Sequence, residues 1–181
     1  MISLRSKVTQ RVLNYFFLNP GESLHVNDLS RRLGLDKRNL VKKLREFEQI
    51  GLLKSETKAN LRLFSLDRKF PLYSEYRKIV LKTVGIEERL RQIIKAIPGV
   101  KEAYIYGSYA RDKMDAHSDL DLLIIGDHEI HALQKEINLL QREINREINS
   151  VNMSEQEFGR RMESKDPFLS GLFHRKVIRL V

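Results

Sequence analysis

A short run of small and acidic residues in the second half of the chain has the types and spacing that phosphate chemistry requires. Gly107 and Ser108 follow one apolar run, and Asp119 and Asp121 begin a second. Alternate residues of a strand point to the same face, so the two carboxylates are expected side by side. They repel each other unless a cation lies between them, and hard ions such as Mg²⁺ favour oxygen ligands. Gly107 lets backbone approach a phosphate, and Ser108 supplies an N–H and a hydroxyl. The pattern predicts a metal–nucleotide site, although an acidic pair also serves to flank a strand.

The same residues resemble the signature of nucleotidyltransferases with a DNA-polymerase-β-like fold, and in particular the minimal nucleotidyltransferases of bacteria and archaea. The likeness covers about residues 86–181 and includes Ala110-Arg111 and the serine before the first aspartate. It implies that Asp119 and Asp121 are catalytic and hold Mg²⁺ or Mn²⁺. It also implies that a nucleoside triphosphate, as substrate or ligand, is bound by Gly107, Ser108, Arg111 and Ser118. Arg111 suits a bidentate phosphate contact, whereas the alternative is a salt bridge to Asp112 or Asp115. His117 is expected to be a solvated loop histidine.

Such enzymes typically use a third carboxylate, which the resemblance implies on the strand after the helix of residues 129–146. That strand is predicted over residues 147–153, with Asn149 at the matching position and Asn152 as the second choice. An asparagine offers a carbonyl ligand but has no charge and accepts no proton. Glu147, the nearest carboxylate, is expected at the junction of helix and strand. The replacement of the third carboxylate by Asn149 puts catalytic turnover in question and leaves nucleotide binding unaffected.

The formal net charge of +9 is unevenly distributed along the chain. Residues 1–85 contain 18 Lys and Arg against 8 Asp and Glu, and residues 86–181 contain 15 against 16. The basic half therefore predicts a polyanionic partner. With no cysteine and no apolar run long enough to span a bilayer, a cytoplasmic protein without a membrane partner is expected.

Residues 1–68 carry the order helix, helix, tight turn, helix and hairpin, which resembles a winged helix-turn-helix domain. The helices are predicted over 5–18, 28–33 and 37–50, with Asn27 as the cap of the second and Asp36 as the cap of the third, and the strands over 52–55 and 61–66. The resemblance implies that double-stranded DNA is a partner. The third helix presents Lys37, Arg38, Asn39, Lys42 and Lys43 to the major groove, and Lys58 and Arg62 stand on the wing. The alternative is a solvated basic face, since some winged helices bind protein.

The predicted fold class is α+β, with a winged helix-turn-helix over residues 1–70, linking helices over 71–97 and a nucleotidyltransferase-like domain over 98–181. The second domain is expected to hold a small mixed β-sheet flanked by helices. The first linking helix is interpreted as a packing helix or a homodimer helix, with one apolar stripe of Leu72, Tyr76, Ile79, Val80 and Val84.

Three functions remain open from the sequence. The first is transfer of NMP from an NTP to an acceptor hydroxyl. The second is transcription regulation by a nucleotide-sensing domain of weak catalytic power. The third, implied by the resemblance, is an antitoxin that accompanies a HEPN toxin.

Overall fold

The computed structural model describes residues 2–114 and 118–181, and the chain divides into two compact units, Met1–Glu88 and Arg89–Val181. Unit 1 contains helix α1 (Lys7–Leu18), strand β1 (Ser23–His25), helices α2 (Val26–Leu33) and α3 (Lys37–Gln49), and strands β2 (Leu53–Lys58) and β3 (Leu61–Leu66). The three strands form an antiparallel sheet in the order β1-β3-β2. Helix α4 (Tyr73–Thr83) completes this unit, and α5 (Ile86–Ala96) contains the boundary.

Helix α3 of unit 1 follows the predicted apolar periodicity, because it buries one stripe. On α3 the buried residues are Leu40, Leu44 and Phe47. The predicted cap of α3 is confirmed, since the Asp36 carboxylate accepts a hydrogen bond of 3.0 Å from the Asn39 N–H. This bond satisfies one of the amides that a helix leaves unpaired at its start.

Helix α2 differs from the prediction at its start. It begins at Val26 instead of Asp28, and its cap is His25, whose ring Nδ1 accepts from the Asn27 N–H at 3.3 Å. The expected cap, Asn27, is therefore inside the helix. Strand β1 was not predicted, because three residues carry no readable alternation. It pairs with β3 and gives the hairpin a third strand.

The hairpin itself is longer than the sequence suggested. Strand β2 continues to Lys58, so only Ala59 and Asn60 remain as the turn. Both have positive φ, 43° and 67°, as two-residue hairpin turns of the mirror-image type require. Alanine at the first position is unusual, which explains why the sequence did not indicate so tight a turn.

The predicted stripe of α4 is only partly correct. Val80 is fully buried, but Leu72 and Ile79 are about half exposed, at 50% and 47%. Leu81, which was outside the predicted stripe, is buried. Helix α4 packs against α1, so the buried face is rotated toward Leu81.

Unit 2 is built on a four-stranded mixed sheet in the order β6-β5-β4-β7. Its elements are β4 (Val100–Tyr106), the short helix α6 (Gly107–Ala110), β5 (Leu120–Gly126), α7 (Ile130–Ile144), β6 (Ile148–Met153), α8 (Glu155–Glu163), α9 (Pro167–Phe173) and β7 (Ile178–Arg179). Strand β5 pairs antiparallel to β4 and parallel to β6. The predicted α+β class with a small mixed sheet and flanking helices therefore agrees with the structure.

One face of this sheet is covered by α9. Leu123, Ile125 and Met153 of the sheet form a buried cluster with Leu169 and Leu172 of the helix. Aromatic rings extend the cluster toward the end of β4, where the candidate site lies. None of the helices in the described ranges has the length and apolar character needed to span a bilayer.

Candidate functional site

The Gly-Ser turn and the acidic pair meet at one end of the central strands of unit 2. In the strand register Tyr106 pairs with Asp121, and Asp121 pairs with Asn149. Paired residues of neighbouring strands point to the same face, so these three side chains form a row across β4, β5 and β6. Asp119 lies one residue before β5 and two positions before Asp121, so its side chain points to the same face of the sheet.

Gly107 lies directly against the Asp121 carboxylate. Its φ is +73°, a conformation that favours glycine, and a Cβ built there would stand 2.0 Å from Asp121 Oδ2 and 3.1 Å from Cγ. Any side chain at this position would displace the carboxylate. The sequence suggested close approach of the Gly107 backbone to a phosphate, and the neighbour that the structure shows is the Asp121 carboxylate.

The two aspartates are near enough to influence each other. Partial burial raises the pKa of the Asp121 carboxyl above its ordinary value, and repulsion from Asp119 adds to the rise. A hydrogen bond from Asn149 and the charge of Arg111 act in the opposite direction and lower that pKa. The pair therefore concentrates negative charge at one point and attracts a cation.

Asn149, the residue predicted to stand in place of a third carboxylate, lies beside both aspartates. Its amide Nδ2 donates to Asp119 Oδ2 at 3.3 Å, and its side chain also bonds Asp121. Asn152 is farther along β6, level with Ile124, and its side-chain oxygen lies 2.9 Å from His128 Nε2. In the described part of the chain, no group of three or more acidic or histidine side chains is arranged to hold a metal ion.

Glu147 stands outside β6, as expected. Its carbonyl oxygen accepts from the Leu120 N–H at 3.0 Å, and the residue is exposed. The backbone at this point serves to align β6 with β5.

Arg111 is exposed beside the Gly-Ser turn. Its Nε donates to the Gly107 carbonyl oxygen at 3.1 Å, and its charge acts on Asp121. Asp112, one alternative partner, forms an ion pair of 2.8 Å with Lys176 Nζ. Asp115, the other alternative, and His117 lie outside the described residues.

Ser108 and Ser118 both precede the acidic pair in sequence, ten residues apart. Ser108 is in the first turn of α6, and its carbonyl accepts from the Lys113 N–H at 2.9 Å. The Ser118 carbonyl accepts a hydrogen bond from a guanidinium N–H of Arg146. Arg146 is 8% exposed, so a buried cation fixes the backbone just before Asp119. Sequence reasoning missed this residue because its partner, Ser118, is 28 positions away.

The predicted DNA contacts fall into two groups. Four side chains on α3 are exposed, namely Lys37, Arg38, Asn39 and Lys42. The other three form ion pairs within unit 1: Lys43 with Glu46 at 2.6 Å, Lys58 with Glu56 at 3.0 Å, and Arg62 with Glu48 at 2.6 Å. Each member of the second group would have to leave its carboxylate to contact a phosphate.

A cavity beside the acidic pair was also missed. It lies between the Gly107 turn and α9 and brings Phe168, Arg175 and Lys176 near Arg111. The residues from α9 onward are some sixty positions from the turn, which is why spacing alone gave no signal for them.

Part of the chain matches a known family of protein domains. Residues 87–172 match the family model described as a nucleotidyltransferase domain, so this part of the chain is a nucleotidyltransferase-like domain. The crystal structure of a toxin–antitoxin with AMP-PNP is 16% identical, covers 52% of this chain and 72% of its own, and has a TM-score of 0.39. The crystal structure of a mutant of the toxin–antitoxin MntA-HpeT is 14% identical, and the match covers 53% of this chain and 73% of that one, with a TM-score of 0.40. No curated protein sequence matches the chain significantly.

Proposed function

We propose that unit 2 binds a nucleoside triphosphate with Mg²⁺ or Mn²⁺ at Asp119 and Asp121, and transfers NMP from it to an acceptor hydroxyl. The observation that carries this proposal is the contact of Gly107 backbone with the Asp121 carboxylate, with Asp119 beside it. The match of residues 87–172 to the nucleotidyltransferase domain supports the same class of reaction.

The donor set fits a divalent ion. Two carboxylates stand together, burial and the charge of Asp119 raise the pKa of the Asp121 carboxyl, and the Asn149 amide lies at hydrogen-bond distance. Asp119 and Asp121 would hold the ion, with the Asn149 carbonyl oxygen as a neutral ligand. When bound, the ion neutralises phosphate charge and brings the nucleotide and the acceptor together.

The remaining residues have binding roles in this proposal. The Gly107 and Ser108 backbone is open to a phosphate because the glycine has no side chain. The Arg111 guanidinium, exposed and close to the turn, donates to phosphate oxygens. Arg146 fixes the backbone at Ser118 and so holds Asp119 in place.

Asn149 favours a second candidate function, a nucleotide-sensing regulator. Transfer requires that the acceptor hydroxyl lose its proton, and an amide cannot accept it. The loss of one general base typically costs on the order of 10²–10⁴ in rate. A domain that binds nucleotide firmly but transfers slowly is suited to report nucleotide levels.

Unit 1 is proposed to be a winged helix-turn-helix that binds double-stranded DNA. The order of three helices and a three-stranded antiparallel sheet, with β2 and β3 as the wing, supports this proposal. In that arrangement α3 enters the major groove, where Arg38 is suited to read guanine and Asn39 to read adenine. Lys37 and Lys42 are exposed and meet phosphates.

The test is incubation of the full chain with each labelled NTP, with Mg²⁺ or Mn²⁺, and with candidate hydroxyl acceptors. Transfer of labelled NMP that is lost in Asp119→Ala/Asp121→Ala supports the enzyme. Asp127→Ala is the matched control, because it removes an exposed carboxylate at the other end of β5. Nucleotide binding without transfer supports the regulator instead.

An antitoxin function remains a further prediction. Co-expression with the product of the adjacent gene, followed by purification and mass measurement, would detect a complex and any nucleotide added to a HEPN partner. The same purified chain, analysed by light scattering, tests the predicted homodimer.

A further inference from the structure

Three polar side chains of unit 1 join helix α3 to the two strands of the wing. The Glu48 carboxylate, in the last turn of α3, accepts a hydrogen bond from the Ser55 hydroxyl of β2. The Arg62 guanidinium of β3 donates to both oxygens of Glu48, at 2.8 and 2.6 Å, and its Nε donates to Ser55 Oγ at 3.0 Å. Each of these residues therefore bonds the other two, and each comes from a different element.

Arg62 lies on the face of the wing that continues the hydrophobic core. In the register of β2 and β3, Ser55 is level with Phe64, and Leu53 is level with Leu66. Leu53, Phe64 and Leu66 are buried. Alternate residues of a strand point to the same face, so Arg62 shares the face of Phe64 and Leu66. Its guanidinium lies 5.3 Å from the centroid of the Phe64 ring, so the side chain extends along the core-facing side of the wing.

The ion pair of Arg62 differs in kind from that of Lys58, the other cation predicted on the wing. The Ser55 hydroxyl and Arg62 lower the pKa of the Glu48 carboxyl, so this carboxylate is charged at neutral pH. A guanidinium that meets both oxygens of a carboxylate is held in one orientation. To reach a phosphate, Arg62 would have to break these bonds and leave Glu48 facing a polyanion. Lys58 meets Glu56 at 3.0 Å with both side chains exposed, at 68% and 52%, and such a pair exchanges partners readily.

We propose that Glu48, Ser55 and Arg62 form a brace that holds the wing at a fixed separation from α3, and that Arg62 positions the wing instead of contacting a phosphate. The inference rests on the proposed DNA binding of unit 1, and it revises the role predicted for Arg62. Because α3 and the wing contact the same duplex, their separation must match the spacing of its grooves. A brace that sets this separation in advance removes the cost of ordering the wing on the DNA.

The first test compares two substitutions in the full chain that each remove one carboxylate near the wing. Affinity is measured by fluorescence anisotropy on the duplex that the wild type selects from a random-sequence pool. Loss of a negative charge beside a polyanion ordinarily tightens binding, and Glu56→Ala should follow this rule because it releases Lys58. Glu48→Ala should instead weaken binding about threefold to tenfold, because the wing must then be ordered on the DNA. If Glu48→Ala tightens binding as Glu56→Ala does, Glu48 is only a competitor of the phosphates and the brace is wrong.

The second test asks whether Arg62 contacts a phosphate. Loss of one phosphate contact reduces the slope of log affinity against log salt by about 0.9, and Lys42→Ala serves as the comparison for that reduction. Arg62→Gln should weaken binding about as much as Glu48→Ala and leave the slope nearly unchanged. The double variant Glu48→Ala/Arg62→Gln should be no weaker than either single variant, because all three lose the same brace. A fall of the slope by about 0.9 in Arg62→Gln would mark a phosphate contact and overturn the inference.

The charge-swapped variant Glu48→Arg/Arg62→Glu keeps the inference testable even where a single substitution impairs folding. It restores an ion pair between α3 and β3 at the net charge of the wild type, and the Ser55 hydroxyl is able both to donate and to accept there. The swap should bind DNA more tightly than Glu48→Ala does. A phosphate contact at position 62 predicts the reverse, because the acidic side chain would then repel the DNA. Each affinity is measured well below the melting temperature of the variant, so that unfolding is not counted as lost binding.

The outcomes separate this inference from the proposed function. If the wild-type chain selects no duplex and binds none at low salt, the proposed DNA binding of unit 1 is refuted, and the inference with it. If the wild type binds DNA but Glu48→Ala tightens binding, or the charge swap binds more weakly than Glu48→Ala, the brace is wrong and the proposed DNA binding stands.

Discussion

The substitution Asn149→Asp tests the central chemistry of the site most directly. In the structure the Asn149 amide donates to Asp119 Oδ2 over 3.3 Å, so an aspartate there would replace a hydrogen bond with a third negative charge. Two unit charges at this separation repel by about 1 kcal/mol in bulk water and by about 5 kcal/mol at an effective dielectric constant of 20. Because Asn149 is exposed, the lower end of that range applies. The lost hydrogen bond costs about 1 kcal/mol more.

We therefore expect Asn149→Asp to lower the free energy of unfolding of the metal-free protein by about 2–3 kcal/mol. A change of 1 kcal/mol shifts the melting temperature of a domain of 60–100 residues by about 4–8 °C, so the effect is easily measured. With Mg²⁺ the sign should reverse, because three carboxylates bind the ion more tightly than two. Transfer of NMP should rise by on the order of 10²–10⁴ if the base was the missing element.

The assay is thermal unfolding of the wild type, Asn149→Asp and Asn149→Ala at increasing Mg²⁺, followed by the labelled-NTP reaction. Asn149→Ala removes the hydrogen bond without adding charge, and should show the small loss of stability but no added dependence on Mg²⁺. The reasoning is refuted if Asn149→Asp responds to Mg²⁺ no more than Asn149→Ala does. In that case the ligand missing from Asp119 and Asp121 comes from another part of the chain, with Glu147 as the next residue to substitute.

Three other predictions follow from the described geometry. Gly107→Ala places a methyl group on the neighbouring carboxylate and should weaken Mg²⁺-dependent NTP binding at least tenfold by calorimetry; unchanged affinity would show that the close contact is dispensable. Arg38→Ala should relax the sequence preference of DNA binding, whereas Lys42→Ala should weaken binding to all duplexes and reduce the slope of log affinity against log salt by about 0.9. Equal effects of Arg38→Ala on all sequences would contradict base reading by this residue. The Asp166 carboxylate accepts a hydrogen bond from the Leu169 N–H, and this bond is the main reason that the pKa of Asp166 is lowered. Its stabilising effect is therefore present above the unfolded-state pKa and is lost as the pH falls through the folded-state pKa. Asp166→Ala should thus melt at a lower temperature at neutral pH, and the difference should disappear in acid; a difference that persists there would exclude the charge as its cause.

The parts of the fold that could be predicted from sequence are those encoded locally. Helix α3 carries its own cap at Asp36 and its own apolar stripe, and Ser154 caps α8 in the same way. The Gly-Ser turn and the two aspartates were readable because acidic residues are depleted within strands, so an acidic pair that leads into an apolar strand needs a reason. For the two caps the information lies within about four residues, and for the site motif it lies between Gly107 and Asp121.

The parts that could not be predicted depend on residues brought together from far apart. Arg146 is buried because its guanidinium reaches the Ser118 carbonyl, a contact across 28 positions. The cavity joins the end of β4 to the loop after α9, and β1 exists only because β3 is beside it. The charge pattern likewise did not reveal that Arg62 is held by Glu48 and Ser55.

The parallel pairing of β5 with β6 makes the composition of the site depend on strand alignment. Asp121 is level with Asn149 only while Leu120 stays level with Ile148, and no turn fixes this alignment, because α7 separates the two strands. A slip of one position would place Ile148 or Ser150 beside Asp121 instead of Asn149. It would also turn the buried Ile148 toward water. The buried apolar residues of β6 therefore keep Asn149 in alignment with Asp121. Slow amide exchange in β6 would be a direct readout of an intact site, even in a sample with no ligand.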